Sequence, residues 1–224
     1  VGEYVVAHSA PARSPDPHIE EGPEEHARPG NQADRRKSAV LRLDWGDMSS
    51  KLERTGRLSV NDHTRDVMGM RYVYPVVSRR AGGVSVGVNL NPHNACNWRC
   101  VYCQVPELGF GKGPPIDLDL LAVELHEMLD AVVNGDFLER AAPEGARRLN
   151  DVAFSGNGEP TTSPDFAASV EVVAKSLEIF ALLGSIKVVL ITNGSMLGKP
   201  ELEVTLRRLA EIGGEIWFKL DSAT

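Results

Sequence analysis

Cys96, Cys100 and Cys103 are the only cysteines among the 224 residues, and all three fall within eight positions of "NACNWRCVYCQ". Three thiols cannot pair off into disulfides, and a closed tetrahedral zinc site takes four ligands. The number suits a cubane iron–sulfur cluster. Each of its four irons takes one outside ligand, so three thiolates hold three irons and leave the fourth open to a small molecule. The x3 and x2 spacings let one short loop wrap the cluster. A zinc reading stands beside this one, because His93 precedes Cys96 by three residues and H-x2-C-x3-C-x2-C supplies a Cys3His set.

Two further stretches carry residue types with chemistry. In "FSGNGEPT" (154–161), Gly156 and Gly158 remove side chains where backbone would approach a ligand. The carbonyls of that turn, with Glu159, offer acceptors to an ammonium group. Read alone, the stretch is also an ordinary glycine-rich strand-to-helix turn, with Ser163 capping the helix. In "IWFKLD" (216–221), alternation puts Ile216, Phe218 and Leu220 on one face and Trp217, Lys219 and Asp221 on the other. A lysine and an aspartate on an inner face are costly unless paired or used on a ligand. The competing reading is an edge strand with one wet face.

The elements that position these residues follow from pattern. "YVYPVVS" and "GVSVGVNLN" are β-rich runs around Gly82-Gly83, either a hairpin or a lead-in followed by the first core strand. A helix is expected over 118–133, N-capped by Asp117, with Leu118, Leu121, Leu125, Met128, Leu129 and Val132 as its apolar stripe. "DVAFSG" (151–156) reads as a second strand. Ser163-Pro164 reads as cap and first position of a helix carrying Phe166, Val170, Val173, Ala174, Leu177 and Ala181. "IKVVLITN" (186–193) has the apolar run of a parallel strand covered on both faces. A helix over about 200–212 and a strand over 215–221 complete the series. Strand and helix alternating this way predict an α/β fold with a parallel sheet and right-handed crossovers. The motifs all fall at strand C-terminal ends, where such folds place their ligand sites.

C-x3-C-x2-C after the first strand, "FSGNGEPT" in the G-x-G-E-P form, "TNG" after the third strand and "KLD" after the fourth together resemble the radical S-adenosylmethionine (radical SAM) superfamily. Tyr102 stands immediately before the last cysteine, where that family usually carries an aromatic. The resemblance implies a parallel-sheet partial (β/α) barrel, truncated after the fourth core strand. Domain organisation is then a disordered leader over 1–38, a lead-in or hairpin over 39–84, and the N-terminal part of the barrel over 85–224. "MSSKLERTGRLS" from Met48 reads as an alternative natural start.

The resemblance also implies cofactors and roles. Cys96, Cys100 and Cys103 would ligate a [4Fe-4S] cluster whose open iron chelates the amino and carboxylate groups of S-adenosylmethionine. An electron passing through it would cleave the sulfonium C–S bond and release a 5′-deoxyadenosyl radical. Tyr102 would lie near the adenine, and Gly156, Asn157, Gly158, Glu159 and Pro160 would meet the methionine amino group. Thr192 and Asn193 belong to the same cofactor site, while Lys219 and Asp221 would face ribose, carboxylate or substrate. "GVNLNPHNACNWRCVYCQ" looks most like the branch containing the wyosine-base synthetase of tRNA. The expected partners are a small-molecule or RNA substrate and an electron donor such as flavodoxin or ferredoxin. Alternatives are an activase that places a glycyl radical on another enzyme, and a non-catalytic zinc-stabilised binding module.

Composition bounds these readings. With 42% hydrophobic and 25% charged residues the chain can bury a core. No run approaches the roughly 18 apolar residues of a membrane span. The opening "VGEYVVAHSAPARSPDP" is not a secretory signal. Clustered free thiols without one point to the cytoplasm. A net charge of −7 argues against general nucleic-acid affinity, DNA included, although Arg79-Arg80, Arg147-Arg148 and Arg207-Arg208 occur as basic pairs.

Overall fold

A computed structural model of the protein describes residues 3–7, 57–59, 68–79 and 82–220. Its strands are β1 (Glu3–Ala7), β2 (Val73–Ser78), β3 (Gly83–Val88), β4 (Ala95–Cys96), β5 (Gly109–Phe110), β6 (Leu149–Phe154), β7 (Lys187–Thr192) and β8 (Gly214–Leu220). Its helices are α1 (Leu118–Val133), α2 (Phe137–Ala141), α3 (Phe166–Ile179) and α4 (Pro200–Glu211). Six strands form one sheet in the order β1-β8-β7-β6-β3-β2, and β4 with β5 makes a separate two-stranded ribbon. β3, β6, β7 and β8 run parallel, joined through α1, α3 and α4.

The two alternatives for the first β-rich runs are both realised: β2 and β3 form an antiparallel hairpin, and β3 is also the first parallel strand. At the far side, β1 pairs antiparallel with β8, from Glu3↔Leu220 to Ala7↔Ile216. Part of the stretch read as a disordered leader is therefore a strand. β8 has a neighbour on each side, which removes the edge-strand reading of "IWFKLD". The rest of the leader, the Met48 region and Asp221 lie outside the described residues.

Alternation separates the two faces of the sheet. Val84, Val86 and Val88 of β3, Val152 and Phe154 of β6, and Val188 and Leu190 of β7 pack into one core. From the helix side come Leu121, Leu125, Met128 and Leu129 of α1, Phe166, Val170, Val173 and Leu177 of α3, and Leu209 of α4. Each fully buried Leu or Phe contributes roughly 1.5–3 kcal/mol, so this layer carries most of the stability. The opposite face holds polar residues at the N-terminal ends of the strands. Ser85 donates to Asp151 across β3–β6, and Lys187 pairs with Glu215 at 2.5 Å across β7–β8.

The first helix forms where its sequence predicts, with the Asp117 carboxylate accepting from Leu120 N at 2.9 Å. α1 also buries Glu124, which no apolar stripe accounts for. Its carboxylate accepts the backbone N–H groups of Arg71, Tyr72 and Val73 at 2.7, 2.8 and 3.2 Å. This fixes the lead-in to the helix, and Met68, Met70, Tyr72 and Val73 share the main core. α3 starts later than the Ser163-Pro164 signal suggests. Ser163 closes a 3-10 turn over Pro160–Thr162, and Asp165 is the residue that precedes the helix. Among the described residues no helix is long and apolar enough to cross a membrane.

Candidate functional site

Asn89 and Asn91 follow β3, and the cysteine loop begins at Asn94, whose φ of 56° asparagine tolerates better than most residues. Cys96 lies on the β4–β5 ribbon, closed by Gly109 N to Asn94 O at 2.8 Å and Gly111 N to Cys96 O at 2.9 Å. Cys103 N donates to Cys100 O at 3.0 Å, so the last two cysteines share a tight turn. None of the three is in a disulfide; Cys96 and Cys100 are half-buried and Cys103 is exposed.

These cysteines and Tyr102 form one wall of a cavity of about 430 Å³. The loop after β6 supplies Gly156, Asn157, Gly158 and Glu159, and the end of β7 supplies Ile191, Thr192 and Asn193. Lys219 of β8 lines it too, as alternation placed it. Pro160 is buried at the first position of the 3-10 turn and does not line the cavity. Residues that the sequence reading missed also contribute, among them Trp98, Val105, Leu108 and Arg79 from the β2–β3 turn. Neither Arg79 nor Lys219 has an ion-pair partner among the described residues.

Glu159 lines the cavity, yet it is only 2% exposed and its carboxylate is engaged by the chain itself. Thr161 N (3.3 Å), Thr161 Oγ1 (2.5 Å) and Thr192 Oγ1 (2.7 Å) donate to Oε1, and Asn193 N (2.7 Å) donates to Oε2. These contacts join the β6 loop to the end of β7. The two glycines of this loop are closely packed by the chain as well. A Cβ on Gly156, at φ 136°, would lie 2.4 Å from Asn89 Oδ1, and one on Gly158 would lie 2.1 Å from Ala95 O. Gly156 thus leaves room for Asn89 and Gly158 for the start of the cysteine loop, while both also line the cavity.

Asparagines complete the assembly, and the sequence reading passed over all but Asn157 and Asn193. Asn89 Oδ1 accepts from Asn91 N and Asn157 N at 3.0 and 3.2 Å. Asn91 Nδ2 donates to Ala95 O at 3.1 Å, while its buried Oδ1 has no partner among the described residues. The available signal was "NLNPHNACN", four asparagines around the first cysteine, each able to donate and accept at once.

Among the described residues no group of three His, Cys, Asp or Glu side chains is arranged around a single ion. His93 is exposed and does not line the cavity, so no Cys3His set closes. A cubane divides its ligands among separate irons and does not need three donors converging on one point. Three thiols along one cavity wall, none of them in a disulfide, fit that donor set.

Parts of the chain are similar to known proteins. Over 132 residues the chain is 28% identical to a GTPase Obg from Brachyspira hyodysenteriae, covering 59% of this chain and 17% of that protein. Over 148 residues it is 26% identical to UPF0026 protein MJ1312 from Methanocaldococcus jannaschii, covering 66% of this chain and 39% of that one. It thus spans well under half the length of either relative. No solved structure matches significantly. The family model described as the Radical SAM superfamily matches residues 90–223, the cysteine loop through β8, and the chain belongs to that superfamily.

Proposed function

We propose that the protein is a radical SAM enzyme in which Cys96, Cys100 and Cys103 hold a [4Fe-4S] cluster and S-adenosylmethionine occupies the cavity. When bound, the cluster supplies the electron that cleaves S-adenosylmethionine to methionine and a 5′-deoxyadenosyl radical, which takes hydrogen from the substrate. The observation that carries the reading is that the three thiols share one cavity with Gly156–Glu159, Thr192, Asn193 and Lys219. In this reading Tyr102 packs against the adenine. Carbonyls of the β6 loop take the methionine ammonium, beside a Glu159 carboxylate that the chain itself holds in place. Lys219 and Arg79 supply positive charge for its carboxylate or for an anionic part of the substrate.

The parallel strands make up the first part of a (β/α) barrel, the substrate is a small molecule or an RNA base, and a flavodoxin or ferredoxin delivers electrons in the cytoplasm. The test uses anaerobically reconstituted full chain with S-adenosylmethionine and dithionite. Formation of 5′-deoxyadenosine, absent in Cys100→Ala, is expected. An intact cluster that yields none would contradict reductive cleavage. Stoichiometric zinc in place of iron would favour the binding module.

A further inference from the structure

Side-chain amides join the three loops that line the cavity. Asn97, next to Cys96, donates through Nδ2 to Ser195 Oγ at 2.7 Å and accepts at Oδ1 from Asn193 Nδ2 at 3.0 Å. Asn193 Oδ1 in turn accepts from Ser195 N at 3.0 Å. A second tie runs from Asn157 Nδ2 to Asn94 Oδ1 at 2.6 Å, from the β6 loop to the start of the cysteine loop. The Glu159 carboxylate then links the β6 loop back to Asn193.

These contacts form a closed circuit with one polar side chain from the cysteine loop facing each of the other two. Nothing in the core requires the circuit, because Asn97 and Asn157 are only partly buried and Ser195 is exposed. It ties the thiol-bearing loop to both of the other cavity-lining loops. We propose that Asn97 is a positioning residue: it couples occupancy of the cavity to closure of the cysteine loop, so that ligand binding and cluster retention reinforce each other. The coupling to a cluster rests on the radical SAM reading; the tie between the loops does not. By linkage, the factor by which S-adenosylmethionine stabilises the loaded loop equals the factor by which loading tightens S-adenosylmethionine binding.

Two variants separate the polar tie from simple packing. Asn97→Asp keeps oxygens to which both the Asn193 amide and the Ser195 hydroxyl can donate, whereas Asn97→Leu has similar size and offers neither. In the metal-free full chain, hydrogen exchange is read at Ser195 N and Gly111 N. Asn97→Leu is expected to speed exchange on the order of tenfold, within the usual range of coupling, with Asn97→Asp close to the parent. In the reconstituted full chain, iron loss to a chelator is timed with and without saturating S-adenosylmethionine. The ligand should protect the cluster in the parent and in Asn97→Asp, and about tenfold less in Asn97→Leu.

Equal exchange and equal protection in Asn97→Leu and the parent would overturn the proposal. Asn97→Asp as impaired as Asn97→Leu would overturn it too, leaving packing as the role. A parent that takes up no iron, while Asn97→Leu still loosens the loops, would overturn the proposed function and the coupling to it, and support the tie alone.

Discussion

At Gly158 an added Cβ meets Ala95 O and the side chain of Asn91, the residues that lead into Cys96. Gly158→Ala is therefore expected to push the cysteine loop outward while the helix-side core stays intact. Circular dichroism should remain near that of the parent, and iron uptake should fall severalfold; parent-like uptake would show that the loop yields without consequence. Asp151 makes a different prediction. Burial, with a smaller contribution from the nearby Glu215 carboxylate, pushes its pKa up to about 6 against the opposing effects of Ser85 and Lys187. A carboxyl raised in the folded state stabilises the fold most below its unfolded pKa, near 3.8, and that contribution is lost as pH rises to about 6. Asp151→Asn should flatten this part of the stability profile and stabilise the protein above pH 6 by on the order of 2 kcal/mol. Denaturant unfolding at pH 4.5 and 7.5, as roughly bracketing conditions, reads the difference.

Among the elements, α1 has a role that its apolar stripe does not express. Glu124→Leu would keep the helix but leave three backbone N–H groups of the lead-in without their acceptor. The expected cost is about 2–4 kcal/mol, as for buried donors that lose a charged partner, and urea unfolding measures it. Glu124→Gln, retaining one acceptor oxygen, should cost less. The same helix shows what sequence reveals: Asp117 and the leucines at helical spacing are local signals, and the observed bounds follow them. Other elements depend on distant partners. β1 has five residues and becomes a strand through pairing with β8, some two hundred residues away in the sequence. Ser163-Pro164 carried a genuine capping signal, but the competing 3-10 turn at Pro160–Thr162 moved the start of α3.

For the molecule as a whole, the α/β alternation and the site at strand C-terminal ends were legible because both repeat a local rule. The cysteines, the β6 turn and Lys219 were found from spacing and alternation. Arg79 was not, since its place in the cavity depends on how the β2–β3 turn lies against loops far away in the chain. Nor could spacing show that Glu159 is tied to the end of β7, or that Asn97 reaches Ser195 across 98 positions. The central claim is that three thiols, without His93, hold an iron–sulfur cluster. Iron and acid-labile sulfide content of the anaerobically reconstituted full chain tests it most directly, compared with Cys96→Ala, Cys100→Ala, Cys103→Ala and His93→Ala. The expected result is matched iron and sulfide in the parent and in His93→Ala, and their loss in each cysteine variant. Metal lost from His93→Ala as fully as from the cysteine variants, or zinc without sulfide in the parent, would contradict it.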